Sequence, residues 1–324
     1  MTVNNQPTSR FCHKCGAAAH PHADFCTACG ERLIKISAPS PATKKKVPSP
    51  VGAFFLALAK SAGFYGFYLG MQVVILVVYA IVVAVLSHSS GGDYMTAYYK
   101  YIHEISIAVG IATLAGYVLF FRIRKKSFVK EVSLKPLGIG SSVGMVIFGF
   151  SAQIIIGVLL SVYYSVFAPD ADSTNEAVEM LFENGNVIVQ ILNVSILTGI
   201  LEEVIFRGLV HNLLKKVMSV PLAIFLSSVL FGAAHMNLEQ FFYTTLLGVL
   251  LALAYEKTGS LIAPILIHMS FNGSNFLIAY LNFESDLPYF AIFLASVGAF
   301  LVTAGMIFFT NKEPKNSLNP TEEI

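Results

Sequence analysis

The 324-residue sequence predicts an all-α polytopic membrane bundle of about eight transmembrane helices, preceded by a small four-cysteine module. Three observations carry this expectation. Hydrophobic residues make up 55% of the chain and charged ones only 12%, whereas soluble domains carry roughly 25% charged residues. Mean hydropathy is +0.69, and apolar runs near the ~20 residues that a bilayer core demands recur along the chain. All four cysteines precede the first of these runs, so no disulfide framework is expected among them.

The elements follow in order. Residues 1–34 hold the cysteines, and 35–60, rich in Pro, Ser and Lys, read as a flexible linker with nothing to bury. Residues 61–310 form the transmembrane domain and 311–324 a disordered tail. The expected spans are Phe64–Leu86, Ile105–Phe121, Val143–Ala168, Val187–Phe206, Val217–His235, Phe241–Tyr255, Leu261–Leu281 and Tyr289–Thr310. Pro221 restarts the fifth helix, and Pro264 is expected to kink the seventh. Residues 1–50 show no apolar run followed by a cleavage site, so the first span is expected to act as an uncleaved signal anchor.

Basic residues sort to one side of these spans. Lys44, Lys45, Lys46 and Lys60 precede the first, and Arg122, Arg124, Lys125, Lys126, Lys130 and Lys135 crowd the second loop. Lys215, Lys216, Lys257, Lys312 and Lys315 fall on the same side if eight spans are counted. The alternate loop 169–186 is acidic. By the positive-inside rule, this predicts a multi-pass cell-membrane protein with both termini cytoplasmic.

Cys12-x-x-Cys15-Gly16 and Cys26-x-x-Cys29-Gly30 are two copies of one knuckle. A glycine after each pair takes positive φ at little cost, and four thiolates complete a tetrahedral zinc site with no open position. A structural Zn²⁺ is therefore expected, and the module resembles the short zinc ribbons at the N-termini of bacterial membrane proteins. With the four-cysteine set complete, His13, His20 and His22 are bystanders. Arg10, Lys14 and Arg32 form no basic stripe with interleaved aromatics, which argues against nucleic acid; docking of a cytoplasmic protein partner and sensing are both open to the ribbon.

Glu202 and Glu203 interrupt an apolar run, and ionisable residues at membrane depth are functional candidates by default. Glu203 and Arg207 are four apart, acid first, the favourable order for a helical pair. Glu202 lies about 100° further round, on a stripe with Ser195, Gly199 and Phe206. Phe231 shares a face with His235, and His268 shares one with Asn272. Glu202 and His235 are each about sixteen residues from the turn near Met218-Ser219, roughly 24 Å along either helix, so the hairpin brings them to one level. A single histidine in a span is more often a plain interhelical hydrogen-bonder; the set in sequence order is more specific.

These residues resemble the motifs of the CAAX protease and bacteriocin-processing family of intramembrane proteases. Glu-Glu-x-x-x-Arg stands at Glu202–Arg207, Phe-x-x-x-His at Phe231–His235 and His-x-x-x-Asn at His268–Asn272, a likeness spanning about residues 185–280. The resemblance implies an intramembrane glutamate-type peptidase acting on membrane-associated or lipidated proteins, or on bacteriocin or signal peptides. It implies that Glu202 and His235 activate water, that His268 and Asn272 stabilise the oxyanion, and that Glu203, Arg207 and Phe231 support them. No His-Glu-x-x-His is present, so the expected chemistry needs no metal there, with a catalytic zinc as the alternative. The rival functions are a non-catalytic membrane regulator whose ribbon binds a partner, and a proton-coupled carrier.

Overall fold

The computed structural model describes residues 10–19, 23–33, 49–91, 93–167, 186–281 and 286–309. The chain divides into two compact units, Met1–Pro48 and Ser49–Ile324.

In the first unit, strands β1 (Arg10–Phe11) and β2 (Ala18–Ala19) pair antiparallel, Arg10 opposite Ala19. The two knuckles repeat one hydrogen-bond pattern. Cys12 N–H donates to Ala17 O at 2.9 Å and Gly16 N–H to Cys12 O at 2.9 Å; Cys26 N–H to Glu31 O and Gly30 N–H to Cys26 O follow at 2.8 Å each. Gly16 and Gly30 take φ of 70° and 71°, the left-handed turn that closes each loop. Backbone amides, Cys15's foremost and then Lys14's, hold the Cys12 thiol down at about 6. Lys14 ties the knuckles together through Glu31 at 2.8 Å.

The second unit is helical. Helix α1 (Pro50–Ser90) opens with Ser49 Oγ accepting from Gly52 N–H at 3.1 Å and with Pro50 in its first turn, where a missing N–H costs nothing. It closes at Gly91, φ 70°. Its 41 residues span roughly 60 Å, twice a bilayer core. Residues 50–60 of the expected linker are therefore helical: the cap and the apolar run Val51–Ala59 extend the first span toward its basic end. The rest of that linker, residues 35–48 apart from the start of α1, and the tail 311–324 lie outside the described residues, as does the acidic stretch 169–185.

There follow α2 (Tyr94–Lys100), α3 (Ile102–Ile123), α4 (Phe128–Glu131) and α5 (Ile139–Phe167). Helix α6 runs over Val187–Leu214, then α7 (Val220–Ala234), α8 (Leu238–Thr258) and α9 (Ile262–Leu281). Helix α10 (Asp286–Ala304) ends in a π turn at Gly305–Phe309. Each expected span overlaps one of these helices. By length and composition, α1, α3, α5, α6 and the apolar part of α10 suffice to cross a membrane, and α7 and most of α9 are shorter apolar helices.

Two differences from expectation bear on the site. Helix α6 continues eight residues past Phe206: Arg207 pairs with Glu203 inside it, and His211 and, just past its end, Lys215 reach Glu256 at 2.9 and 2.7 Å. Pro264 produces no kink, since α9 begins at Ile262 and the proline falls in its first turn.

Helix α6 is the hub. Leu201, Val204, Ile205, Phe206 and Leu209 bury against Tyr117 and Phe121 of α3, Phe231 of α7 and Ile265 of α9. A second cluster, Met145, Phe148, Leu251, Ile267 and Phe271, joins α5, α8 and α9.

Candidate active site

Helix α6 is not uniform. π-helical segments at Ile191–Leu197 and Val204–His211 bracket the α-helical turns Thr198–Glu203. Such widened turns recur at functional sites because they re-aim side chains and release backbone carbonyls. Gly199 lets α9 approach: a Cβ there would lie 3.2 Å from the Met269 side chain. The close contact sets the carboxylates of α6 beside His268.

Glu203 is fully buried and holds two partners through one oxygen. Oε1 accepts from Arg207 Nη1 at 2.6 Å and from His268 Nδ1 at 2.9 Å. Arg207, 1% exposed, donates a second bond to Gly248 O at 3.1 Å and lies 4.4 Å above the Phe231 ring. Gly248 permits this, since a Cβ there would stand 3.2 Å from Nη2. Charge buried at this depth is tolerable only when paired and hydrogen-bonded. Glu203 Oε2 has no hydrogen-bond partner among the described residues.

Glu202 is the accessible carboxylate. Its side chain is 18% exposed, and Oε2 lies 3.6 Å from His268 Nε2. The imidazole of His268 is thus strung between the two glutamates. His235 sits at the end of α7 with Nδ1 2.9 Å from Phe231 O, so Nδ1 carries the proton and Nε2 is left as the acceptor. Phe231 packs edge-on against both imidazoles, with centroids 5.0 Å from His235 and 5.8 Å from His268. Asn272 donates through Nδ2 to Val194 O at 3.0 Å, in the first π segment, and one amide hydrogen remains uncommitted by that bond.

Sequence reasoning missed several neighbours. Tyr65 of α1 donates to Ala234 O at 3.2 Å, fixing the end of α7 next to His235. Tyr65 and Tyr68 both lie within coulombic range of Glu202. Their i,i+3 spacing on the first span was the available signal. Asn193 bonds His103 Nδ1 at 3.1 Å, joining α6 to α3. Glu202, Glu203, Arg207, Phe231 and His268 are linked by direct contacts across α6, α7 and α9; His235 joins them through Phe231, Asn272 bonds back to α6 at Val194 O, and the cysteines form a separate cluster in the other unit.

In that cluster, Cys12 Sγ lies 3.6 Å from Cys29 Sγ and Cys15 Sγ 3.7 Å from Cys26 Sγ, with all four sulfurs within 4.8 Å of one another. A zinc tetrahedron with bonds of about 2.3 Å requires sulfurs about 3.8 Å apart, so the set fits Zn²⁺.

Fold and site together define a multi-pass membrane protein with a carboxylate–imidazole centre sunk among its helices. Comparison with known proteins narrows this class. Residues 184–274, which carry every motif residue of the site, match the family of the type II CAAX prenyl endopeptidase Rce1-like proteins. The chain is also similar to the "Putative membrane peptidase YdiL" of Bacillus subtilis (strain 168), 29% identical over 169 residues, or 52% of this chain and 68% of that relative. No solved structure matches it significantly. These likenesses support a membrane peptidase of the CAAX-protease type.

Proposed function

We propose that the chain is an intramembrane endopeptidase in which Glu202 and His235 activate water. The observation that carries this reading is the asymmetry of the two glutamates. Glu203 is sealed by Arg207 and His268, whereas Glu202 is partly open and faces His268 Nε2. Glu202 takes a proton from water as the oxygen attacks the scissile carbonyl, and His235 Nε2 accepts from the same water. The tetrahedral oxyanion receives hydrogen bonds from Asn272 Nδ2–H and from His268. When the C–N bond breaks, Glu202 returns its proton to the leaving amine. No His-Glu-x-x-His stands in the sequence, which favours the metal-free route over a catalytic zinc.

The substrate class is a membrane-associated or lipidated protein, or a bacteriocin or signal peptide, reached from the bilayer. Peptide termini of the membrane proteome, compared between wild type and a Glu202→Ala strain, test it. Termini that vanish in the mutant identify the substrate, and identical sets would leave the non-catalytic regulator as the better reading.

Two further expectations belong here. Residues 1–35 expressed alone are expected to bind about one equivalent of zinc and to lose structure with chelator. Deleting them is expected to leave hydrolysis intact, with the ribbon serving a cytoplasmic partner; a ribbon that folds without metal would overturn the zinc assignment. Both termini are expected in the cytoplasm. Cysteines introduced at Asp172 should then be labelled from outside intact cells, and at Ser317 not; reversed labelling refutes the topology.

A further inference from the structure

A cleft of about 560 Å³ opens between α1, α3 and α6, and it shares no side chain with the Glu202–His268 centre. Its size is that of a small-molecule site. The walls are Phe64 and Phe67 of α1, Phe120 of α3 and Leu213 of α6. Space between the helices comes from glycines: a Cβ at Gly116 would run into the Phe67 ring, while one at Gly63 would meet nothing within 4 Å.

The mouth has different chemistry. Lys60, Arg124, Lys126 and Lys216 line it with a single acid, Glu131, which Lys126 neutralises at 2.7 Å. Lys60, Arg124 and Lys216 have no acidic partner among the described residues, and Arg124 lies 5.2 Å over the Phe120 ring. Each of these three sits at the end of an apolar run. Arg124 caps α3, Lys216 follows α6, and Lys60 precedes the aromatic stretch that begins at Phe64. Cations thus line the mouth of an aromatic, apolar cleft.

We propose that this cleft binds an anionic glycerophospholipid, its phosphate held by Lys60, Arg124 and Lys216 and an acyl chain lying along Phe64, Phe67 and Phe120. Charge complementarity selects this occupant. A free phosphate ion would leave the apolar walls unused, and a neutral isoprenyl chain would leave three cations unanswered. The side bearing the Lys/Arg-rich loops is also the one on which the positive-inside rule places the anionic leaflet.

Native mass spectrometry of the full-length protein, released from nanodiscs of phosphatidylcholine with added phosphatidylglycerol, tests the proposal. Wild type is expected to retain phosphatidylglycerol in preference to phosphatidylcholine. The triple variant Lys60→Gln/Arg124→Gln/Lys216→Gln is expected to bind it on the order of a hundredfold more weakly, each cation near the surface contributing about a factor of five. Gly63→Leu, which fills the cleft while keeping every charge, is expected to lose the adduct too. That variant separates a built site from diffuse attraction to the basic loop. Inorganic phosphate and S-farnesyl cysteine, added as competitors, are expected to leave the lipid in place. Equal retention of both lipids by wild type, an undiminished adduct in Gly63→Leu, or displacement by S-farnesyl cysteine or phosphate would each overturn the assignment. Should the triple variant fail to fold, wild-type selectivity and Gly63→Leu decide alone. None of these readouts depends on peptide hydrolysis.

Discussion

Glu202→Gln is expected to lower turnover of a cleaved substrate by about 10²–10⁴-fold, the range a positioned general base contributes, while the protein folds normally. The amide keeps the size of the carboxylate and its ability to accept a hydrogen bond, so the 3.6 Å approach to His268 Nε2 loses charge but little packing. Glu202 is partly exposed and makes no buried ion pair with Arg207, so its neutralisation strands no buried cation. The measurement is single-turnover hydrolysis in proteoliposomes beside a thermal unfolding curve of the same preparation. Near-wild-type cleavage by a folded Glu202→Gln protein would reject the water-activation role. Chelation should leave the ribbon-deleted enzyme unaffected. Loss of activity on chelation, restored by zinc, would install the metal alternative.

The large features of the fold were legible because they are one-dimensional. Apolar runs of bilayer length announce helices whatever they pack against, and Glu202, Glu203 and Arg207 within such a run stand out by their cost in hydrocarbon. The cysteine knuckles were legible for a similar reason: Cys-x-x-Cys-Gly prescribes its own turn, down to the positive φ at Gly16 and Gly30. Features that depend on how helices meet were not. The length of α6 was underestimated because the bonds from His211 and Lys215 to Glu256, on α8, cannot be read from local sequence. Glu203 itself read as a pair with Arg207 alone. Its second bond, to His268 sixty-five residues away, requires α9 to close on α6 at Gly199, and no helical spacing encodes that. The π segments flanking Glu202 were equally hidden, since they answer to packing rather than to local propensity.

Glu203→Gln is expected to be the more disruptive substitution for the fold. It removes the charge from a group with no exposure and leaves Arg207, itself 1% exposed, stacked on Phe231 without a counter-ion. Breaking one partner of such a buried pair typically destabilises by about 3–5 kcal/mol. Activity is expected to fall as well, because Oε1 of Glu203 holds His268 Nδ1 at 2.9 Å and so turns Nε2 toward Glu202. The two effects separate in a double variant. Glu203→Gln/Arg207→Met strands no cation and retains much of the apolar volume over Phe231, so thermal stability is expected to recover most of the loss. Hydrolysis is not, since His268 still lacks the carboxylate that orients it. A single Glu203→Gln protein as stable as wild type, or a double variant that regains full activity, would show that Glu203 neither anchors Arg207 nor positions His268.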